Sequence, residues 1–558
     1  MTADALISVA LGERPADLVC HDVSLFNPFS CEWEETSFAV AGGRVAGIGA
    51  YEGIREIRFG GAQCVPGLID AHVHIESSLL TPVEYGRLVL GHGTTTVVAD
   101  PHEIANVAGT DGLDYMLAER KKTPLDILLM LPSCVPATPM DRGGATLTAE
   151  DLSAYTDREG ILGLGEMMNV PGVLSGDPGV AAKMSLCRII DGHAPLLSGH
   201  ALNAYIGAGA QSDHECTNLT EAREKLRRGM YIMIREGSTE RNLRDLIPLI
   251  TPATLSRLCF ATDDRHADML VAEGHIDDCI RKAVGYGCEP EHALRMATLS
   301  AAERFGLADR GAVAPGRIAD FCILEDGKEF RVARTFRAGV EFRDPGYTRP
   351  ASISRPFSCT LPVPADLTIT KGGNARVIRL LEHQILTGAE EIGIAPGSIP
   401  DTERDILPAV VCDRYRASGF GIGLVQGLHL KSGAIASSVS HDSHNIVAAG
   451  ADTADILKAV GEVIDHKGGM AAVNGDSIAV LPLPCAGLMS DLPYEEVARR
   501  IGALEQAVAG MGGIAHPFMY LSFLALTVIP HRRLTERGVF DADRFEDISL
   551  FSGEDPPP

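Results

Sequence analysis

Cys64-Val-Pro-Gly-Leu-Ile-Asp-Ala-His-Val-His-Ile-Glu76 is the stretch on which the fold turns. It opens as a short apolar run and then delivers two histidines two residues apart. Side chains at that spacing on a strand share a face. His72 and His74 therefore project together from the end of a strand and form half of a metal site. A lone His-x-His is also compatible with two unrelated polar residues, so its surroundings decide.

Eight short apolar runs can be read along this part of the chain: Cys64–Asp70, Thr94–Ala99, Leu125–Leu131, Ile161–Gly165, Pro195–Gly199, Gln211–Asp213, Tyr231–Ile234 and Leu258–Thr262. Amphipathic stretches such as Val83–Leu90, Ala181–Ile190, Leu219–Arg228 and Asp268–Val284 separate most of them. Strand alternating with helix eight times predicts a (β/α)8 TIM-like barrel. The sixth run is the weakest. In such barrels functional groups gather at the C-terminal ends of the strands. Glu166 ends the fourth run, His200 the fifth, His214 the sixth and Asp263 the eighth. Together with His72 and His74 they make a set of imidazoles and carboxylates without thiolate. That donor set suits Zn, Mn or Fe(II).

The flanks read differently. Residues 1–64 predict short strands, with Gly42-Gly43 as a hairpin signal. Residues 309–358 return to Gly/Pro turns and β-rich sequence. We read the two as one β-sandwich domain built from both sides of the barrel (65–308). A Pro-rich stretch up to Pro364 marks a boundary, and 359–558 predict a C-terminal α/β domain. The class is thus α/β. With 49 Lys and Arg against 74 Asp and Glu, the net charge is −25. Such a surface repels phosphate backbones and anionic lipid, which argues against nucleic-acid polymers and membranes as partners. The 13 cysteines form no Cys-x-x-Cys, the start lacks a basic region ahead of an apolar run, and no run approaches bilayer length. These features predict free thiols and a cytoplasmic protein.

The His-x-His on strand one, His on strands five and six and Asp on strand eight resemble the amidohydrolase superfamily. The resemblance implies a site for two divalent metal ions. Glu166 would bridge them in the place often taken by a carboxylated lysine. His72, His74 and Asp263 would hold one ion, and His200 and His214 the other. The match tightens to the adenine deaminases of bacterial type through Asp70-Ala-His-Val-His-Ile-Glu-Ser-Ser78, Ala99-Asp-Pro-His-Glu-Ile-Ala-Asn106, Ser212-Asp-His-Glu-Cys216, Ile234-Arg-Glu-Gly-Ser238, Thr262-Asp-Asp-Arg-His266 and, near the other end, Ser440-His-Asp-Ser-His-Asn445. The resemblance implies hydrolytic deamination of adenine to hypoxanthine and ammonia, with metal-activated hydroxide attacking C6. Asp263 would take the proton from the attacking water.

A donor to ring nitrogen N1 is also needed, and Glu76, Glu103, Glu215 and Asp264 all qualify by position. Many deaminases of the superfamily place Glu three residues after the strand-five His; here that place is Asn203, so the usual donor does not carry over. Asp100 and His102 could touch the base or orient a ligand, although Asp100-Pro101 also reads as a turn. Arg235 could bind a ring acceptor or pair with Glu236. His441 and His444 lie three apart and, on a helix, would share a face and could reach a neighbouring active site or hold a metal. The partner expected is adenine, and a symmetric homodimer is the default assembly. A different purine deamination, or cyclic-amide hydrolysis, keeps the same barrel and metals. A non-catalytic binding protein would be expected to have lost ligands.

Overall fold

The computed structural model describes residues 3–327, 329–355, 357–381 and 386–554. The barrel strands are β1 (Leu68–Val73), β2 (Thr94–Ala99), β3 (Asp126–Leu131), β4 (Ile161–Met167), β5 (Ile190–Gly192), β6 (Ser212–Asp213), β7 (Tyr231–Arg235) and β8 (Leu258–Ala261). They pair in parallel in sequence order, as a five-stranded sheet β1–β5 and a three-stranded sheet β6–β8. Backbone bonds close the ring. Gln211 N donates to Ile190 O at 3.1 Å between β5 and β6. Asp263 N donates to His72 O at 3.0 Å, and His74 N to Asp263 O at 3.1 Å, between β8 and β1. Every residue of β1 and β2 is buried. Strands covered on both faces read as continuous apolar runs, which is why the barrel is visible in the sequence.

Strand five is where the sequence reading fails. The run Pro195–Gly199 forms no strand. Leu196 and Gly199 both have positive φ (61° and 60°), and the helix Gly199–Gly207 starts at the end of the run. The strand is instead Ile190–Gly192, which the amphipathic stretch Ala181–Ile190 overlaps by one residue. That helix stops earlier, at Met184.

The β-rich flanks do join, but as one seven-stranded sheet rather than two facing ones. Strands Ala16–Asn27, Glu32–Ala41, Arg44–Ile48 and Gly53–Pro66 precede the barrel; Phe321–Asp326, Arg331–Arg337 and Val340–Glu341 follow it. Gly53–Pro66 pairs antiparallel with Phe321–Asp326 and leads directly into β1. The sheet curls until Arg44 bridges Ile318, and it wraps a core that includes Leu18, Phe38, Val40, Phe321 and Phe336. Gly42 and Gly43, both at positive φ (57° and 77°), make the tight turn expected of them.

Beyond residue 372 lies an eight-stranded, mostly antiparallel sheet with helices Thr453–Asp465 and Tyr494–Gly510. Asp452 caps the first helix, accepting from Ala454 N at 2.8 Å and Asp455 N at 3.0 Å. This region presses against the barrel. Ser490 N donates to Leu79 O at 2.8 Å, Thr527 Oγ1 donates to Asp141 Oδ2 at 2.7 Å, and Arg87 links Glu84 to Glu495. The loop between strands Ala434–Ser437 and Ile446–Gly450 reaches the C-terminal mouth of the barrel. No helix among the described residues is long and apolar enough to cross a membrane. All 13 cysteines are free.

Candidate active site

Five strand ends converge on one buried cluster. From β1, His72 Nε2 and His74 Nε2 lie 3.2 Å apart. Both face Asp263 Oδ1, at 3.3 and 3.1 Å. His74 Nε2 also lies 3.2 Å from Glu166 Oε1. The other oxygen of Glu166, Oε2, is 2.7 Å from His193 Nδ1 and 3.2 Å from His214 Nε2. Glu166 thus stands between two groups of imidazoles. Groups whose ligand atoms fall within 4.8 Å of one another include His72/His74/Glu166, His72/His214/Asp263 and Glu166/His193/His214.

These residues fit a divalent cation. His74 Nδ1 lies 2.9 Å from the Asp100 carbonyl, which fixes the proton there and leaves the Nε2 lone pair aimed into the cluster. Burial and His102 oppose a charge on His74, but Asp263 and Glu166 outweigh both and hold it well above the usual imidazole range. Burial pushes Glu166 up, yet His193 and His214 hold its carboxyl well below the ordinary range. Burial likewise acts on Asp263, and His72 and His74 overcome it. Carboxylates that stay ionised in a dry site need positive charge, and a cation bound there takes the place of the protons on the imidazoles.

The strand-five histidine is His193, not His200. His193 follows directly on β5 and is 5% exposed. His200 lies in the exposed first turn of the helix Gly199–Gly207, outside the cluster. The place three residues after the strand-five histidine is therefore the exposed Leu196 rather than Asn203. Asn203 accepts from Arg228 Nε at 2.8 Å on the surface. A buried lysine fixes this corner. Lys225 Nζ donates to Ala194 O at 2.6 Å and Asp213 Oδ2 at 2.9 Å, while Asp213 Oδ1 accepts from Ala194 N at 2.8 Å. The residues next to His193 and His214 are thereby tied together.

Arg235 pairs with Glu215 and Asp263, and not with Glu236. Its Nη1 and Nη2 reach Glu215 Oε1 and Oε2 at 2.5 and 2.9 Å, and Nη1 reaches Asp263 Oδ2 at 2.8 Å. Glu236 takes Lys282 instead, at 3.2 Å. Burial works against the charge on Glu215, but Arg235 and His193 hold its carboxyl well below the usual range. Asp100 Oδ2 accepts from Glu166 N at 2.9 Å, so its carboxylate holds the backbone of Glu166. Asp70, which the sequence reading passed over, ties β1 to β8: Oδ2 accepts from Thr262 Oγ1 at 2.5 Å and lies 3.0 Å from His275 Nε2.

The other acidic candidates divide by environment. Glu76 Oε1 accepts from Ile104 N at 3.2 Å, its Oε2 has no hydrogen-bond partner, and burial together with Glu103 pushes it up to about 7. Asp264 accepts from Ser77 Oγ and groups with His74 and Asp263; burial and the neighbouring Asp263 push it up. Glu103 is different. Its two oxygens take His441 Nδ1 and His444 Nε2, and these imidazoles with His102 overcome burial and hold it well below the ordinary range. His102 lies between the clusters, with Nδ1 3.4 Å from Glu166 Oε1 and Nε2 3.3 Å from Glu103 Oε1.

Residues 64–341 match the model of the amidohydrolase family, and residues 385–546 match the adenine deaminase C-terminal domain. The chain is 65% identical over 514 residues to an adenine deaminase of Methanoculleus marisnigri, covering 92% of this chain and 99% of that one. An adenine deaminase of Methanoregula boonei is 57% identical over 550 residues, 98% of each chain. The chain belongs to the adenine deaminase family. A third family member, from Desulfatibacillum aliphaticivorans, is 44% identical over 568 residues, covering 99% of this chain and all of that one. The two domain matches follow one another along the chain. The second includes the loop carrying His441 and His444, so the barrel and the domain that defines this family meet at Glu103.

Proposed function

We infer that the protein is a metal-dependent hydrolase that deaminates adenine to hypoxanthine and ammonia. The observation that carries this is the buried strand-end cluster of His72, His74, Glu166, His193, His214 and Asp263 in a chain of the adenine deaminase family. We propose that the cluster holds two divalent ions, with His72, His74 and Asp263 at one and His193 and His214 at the other. The two oxygens of Glu166 face the two groups separately. When bound, such ions supply an acidified water as nucleophile near neutral pH.

The rest is done by side chains. Asp263 Oδ1 stands between His72 and His74, and Oδ2 is anchored by Arg235. That anchor aims Asp263 to accept the proton of the attacking water. Ring nitrogen N1 must gain a proton as C6 is attacked. Glu215 and Glu103 are committed to Arg235 and to two imidazoles, and both stay ionised. Asp264 and Glu76 are the carboxyls whose surroundings favour the proton. Asp264 stands beside Asp263, so we assign N1 protonation to it and a supporting place to Glu76. The buried cluster excludes bulk water, which strengthens each of these interactions. Ammonia release from adenine by metal-reconstituted protein, with equivalents counted, tests the reading. Metal-dependent release with two equivalents is expected. No release from adenine with both ions bound would refute the substrate, and a single saturating equivalent would refute the bridging role of Glu166.

A further inference from the structure

His441 sits far from the barrel in sequence and against its mouth in space. Its Nδ1 meets Glu103 Oε1 across 338 residues of chain. Glu103 Oε2 takes His444 Nε2. Ser440 N donates to His444 Nδ1 at 3.3 Å, so that nitrogen is an acceptor and the proton of His444 lies on Nε2, facing Glu103. Phe523 stacks on the His441 ring with centroids 5.1 Å apart and planes at 26°. The imidazole is therefore held on one edge and one face. Its remaining polar atom, Nε2, is buried and has no hydrogen-bond partner. Buried polar atoms are normally hydrogen-bonded, so this nitrogen is free to meet a ligand at the site mouth.

Asp263, His441 and His74 all lie near enough to act electrostatically on Asp264, at the end of β8. His266, the last residue of that motif, feels His441 as well. Burial opposes a charge on the ring, but Glu103 at Nδ1 and the nearby Asp442 overcome it and favour a proton on both nitrogens.

We propose that His441 is a substrate-contacting residue, donating a hydrogen bond from Nε2 to a ring nitrogen of the purine, with Glu103 and His444 as positioning residues. The C-terminal domain thereby completes a recognition site that the barrel alone leaves open. The inference rests on the adenine reading above.

The test uses the full-length, metal-loaded protein, with His441→Ala and His441→Gln; the Gln amide keeps a donor near the place of Nε2. Losing a charged donor to a buried acceptor predicts that His441→Ala raises KM for adenine, and the inhibition constant of hypoxanthine, by about 10- to 100-fold. His441→Gln recovers a substantial part. Metal equivalents and the thermal transition stay as in the wild type. Inhibition by 1-, 3- and 7-deazaadenine then identifies the acceptor: one analogue binds the wild type poorly and is weakened no further by His441→Ala. Unchanged KM, an equal loss for all three analogues, or loss of a metal equivalent in His441→Ala would each overturn the proposal. Wild-type turnover of adenine is measured in the same preparation. Its absence removes the adenine reading and this inference with it, whereas turnover with an unaffected variant removes this inference alone.

Discussion

Replacing His193 and His200 separately discriminates between the two candidates for the strand-five ligand. In His193→Ala, an imidazole 2.7 Å from Glu166 Oε2 and 3.7 Å from Glu215 Oε1 is lost from a buried site. Mutating a group that merely supports a ligand costs roughly 10- to 100-fold in metal affinity. A group that itself faces the ion should cost at least the upper end, about 2.8 kcal/mol at 1.4 kcal/mol per factor of ten. The metal-free protein should also suffer, because removing one partner of a buried ion pair costs about 3–5 kcal/mol. His200 lies in an exposed first helical turn, and its replacement should stay within about 0.5 kcal/mol. The assay is titration of apoprotein with Mn(II) or Zn(II), bound metal counted by atomic emission, beside denaturant unfolding without metal. His193→Ala should lose about one equivalent and unfold more readily; His200→Ala should match the wild type. If His200→Ala lost the metal and His193→Ala kept it, the geometric argument for strand five would be wrong.

Asp263→Asn should lower kcat by about 10²- to 10⁴-fold, the usual worth of a general base, while far-ultraviolet circular dichroism stays that of the wild type; near-normal turnover would rule out its proton role. Gly165→Ala should weaken metal binding without unfolding the barrel, because the added methyl would lie 2.0 Å from Asp100 Oδ2, which holds Glu166 N; unchanged metal affinity would show that Asp100 does not position Glu166. Arg235→Met should destabilise the metal-free protein by about 3–5 kcal/mol, since Glu215 and Asp263 would be left buried and unpaired, and denaturant unfolding reads this directly. Glu505 lies in the helix Tyr494–Gly510, where burial and Asp268 raise its pKa from the ordinary 4.5 to about 7. The folded state then binds the proton more tightly than the unfolded state, so stability falls as pH rises from 4.5 through 7. Glu505→Gln removes this dependence, and its stability relative to the wild type should rise by about 1–3 kcal/mol between pH 5 and pH 8; a constant difference in thermal midpoint would contradict the sign.

The sequence alone determined the barrel because its strands are covered on both faces, so they read as short apolar runs, several of them followed by functional residues. Glu166, His214 and Asp263 were legible because each directly follows its run, and His72 and His74 because they share a strand face just beyond Asp70. The fifth strand was not. Three residues carry too little pattern to announce a strand, and Ile190–Gly192 exists because β4 and β6 offer it backbone partners on both sides. The apolar residues after it were instead drawn into a turn with Pro195 and two positive-φ positions. The signal available was Ile189-Ile190 followed by Asp191-Gly192-His193, a run with its ligand attached. Side-chain partners were likewise beyond the sequence. Arg235 could have taken the adjacent Glu236, but neighbours on a strand face opposite ways, and the guanidinium points inward to Glu215 and Asp263. The meeting of Glu103 with His441 and His444 depends on a domain contact spanning more than half of the chain. Local pattern fixes which way a side chain leaves its own strand or helix, and only tertiary packing decides what it meets.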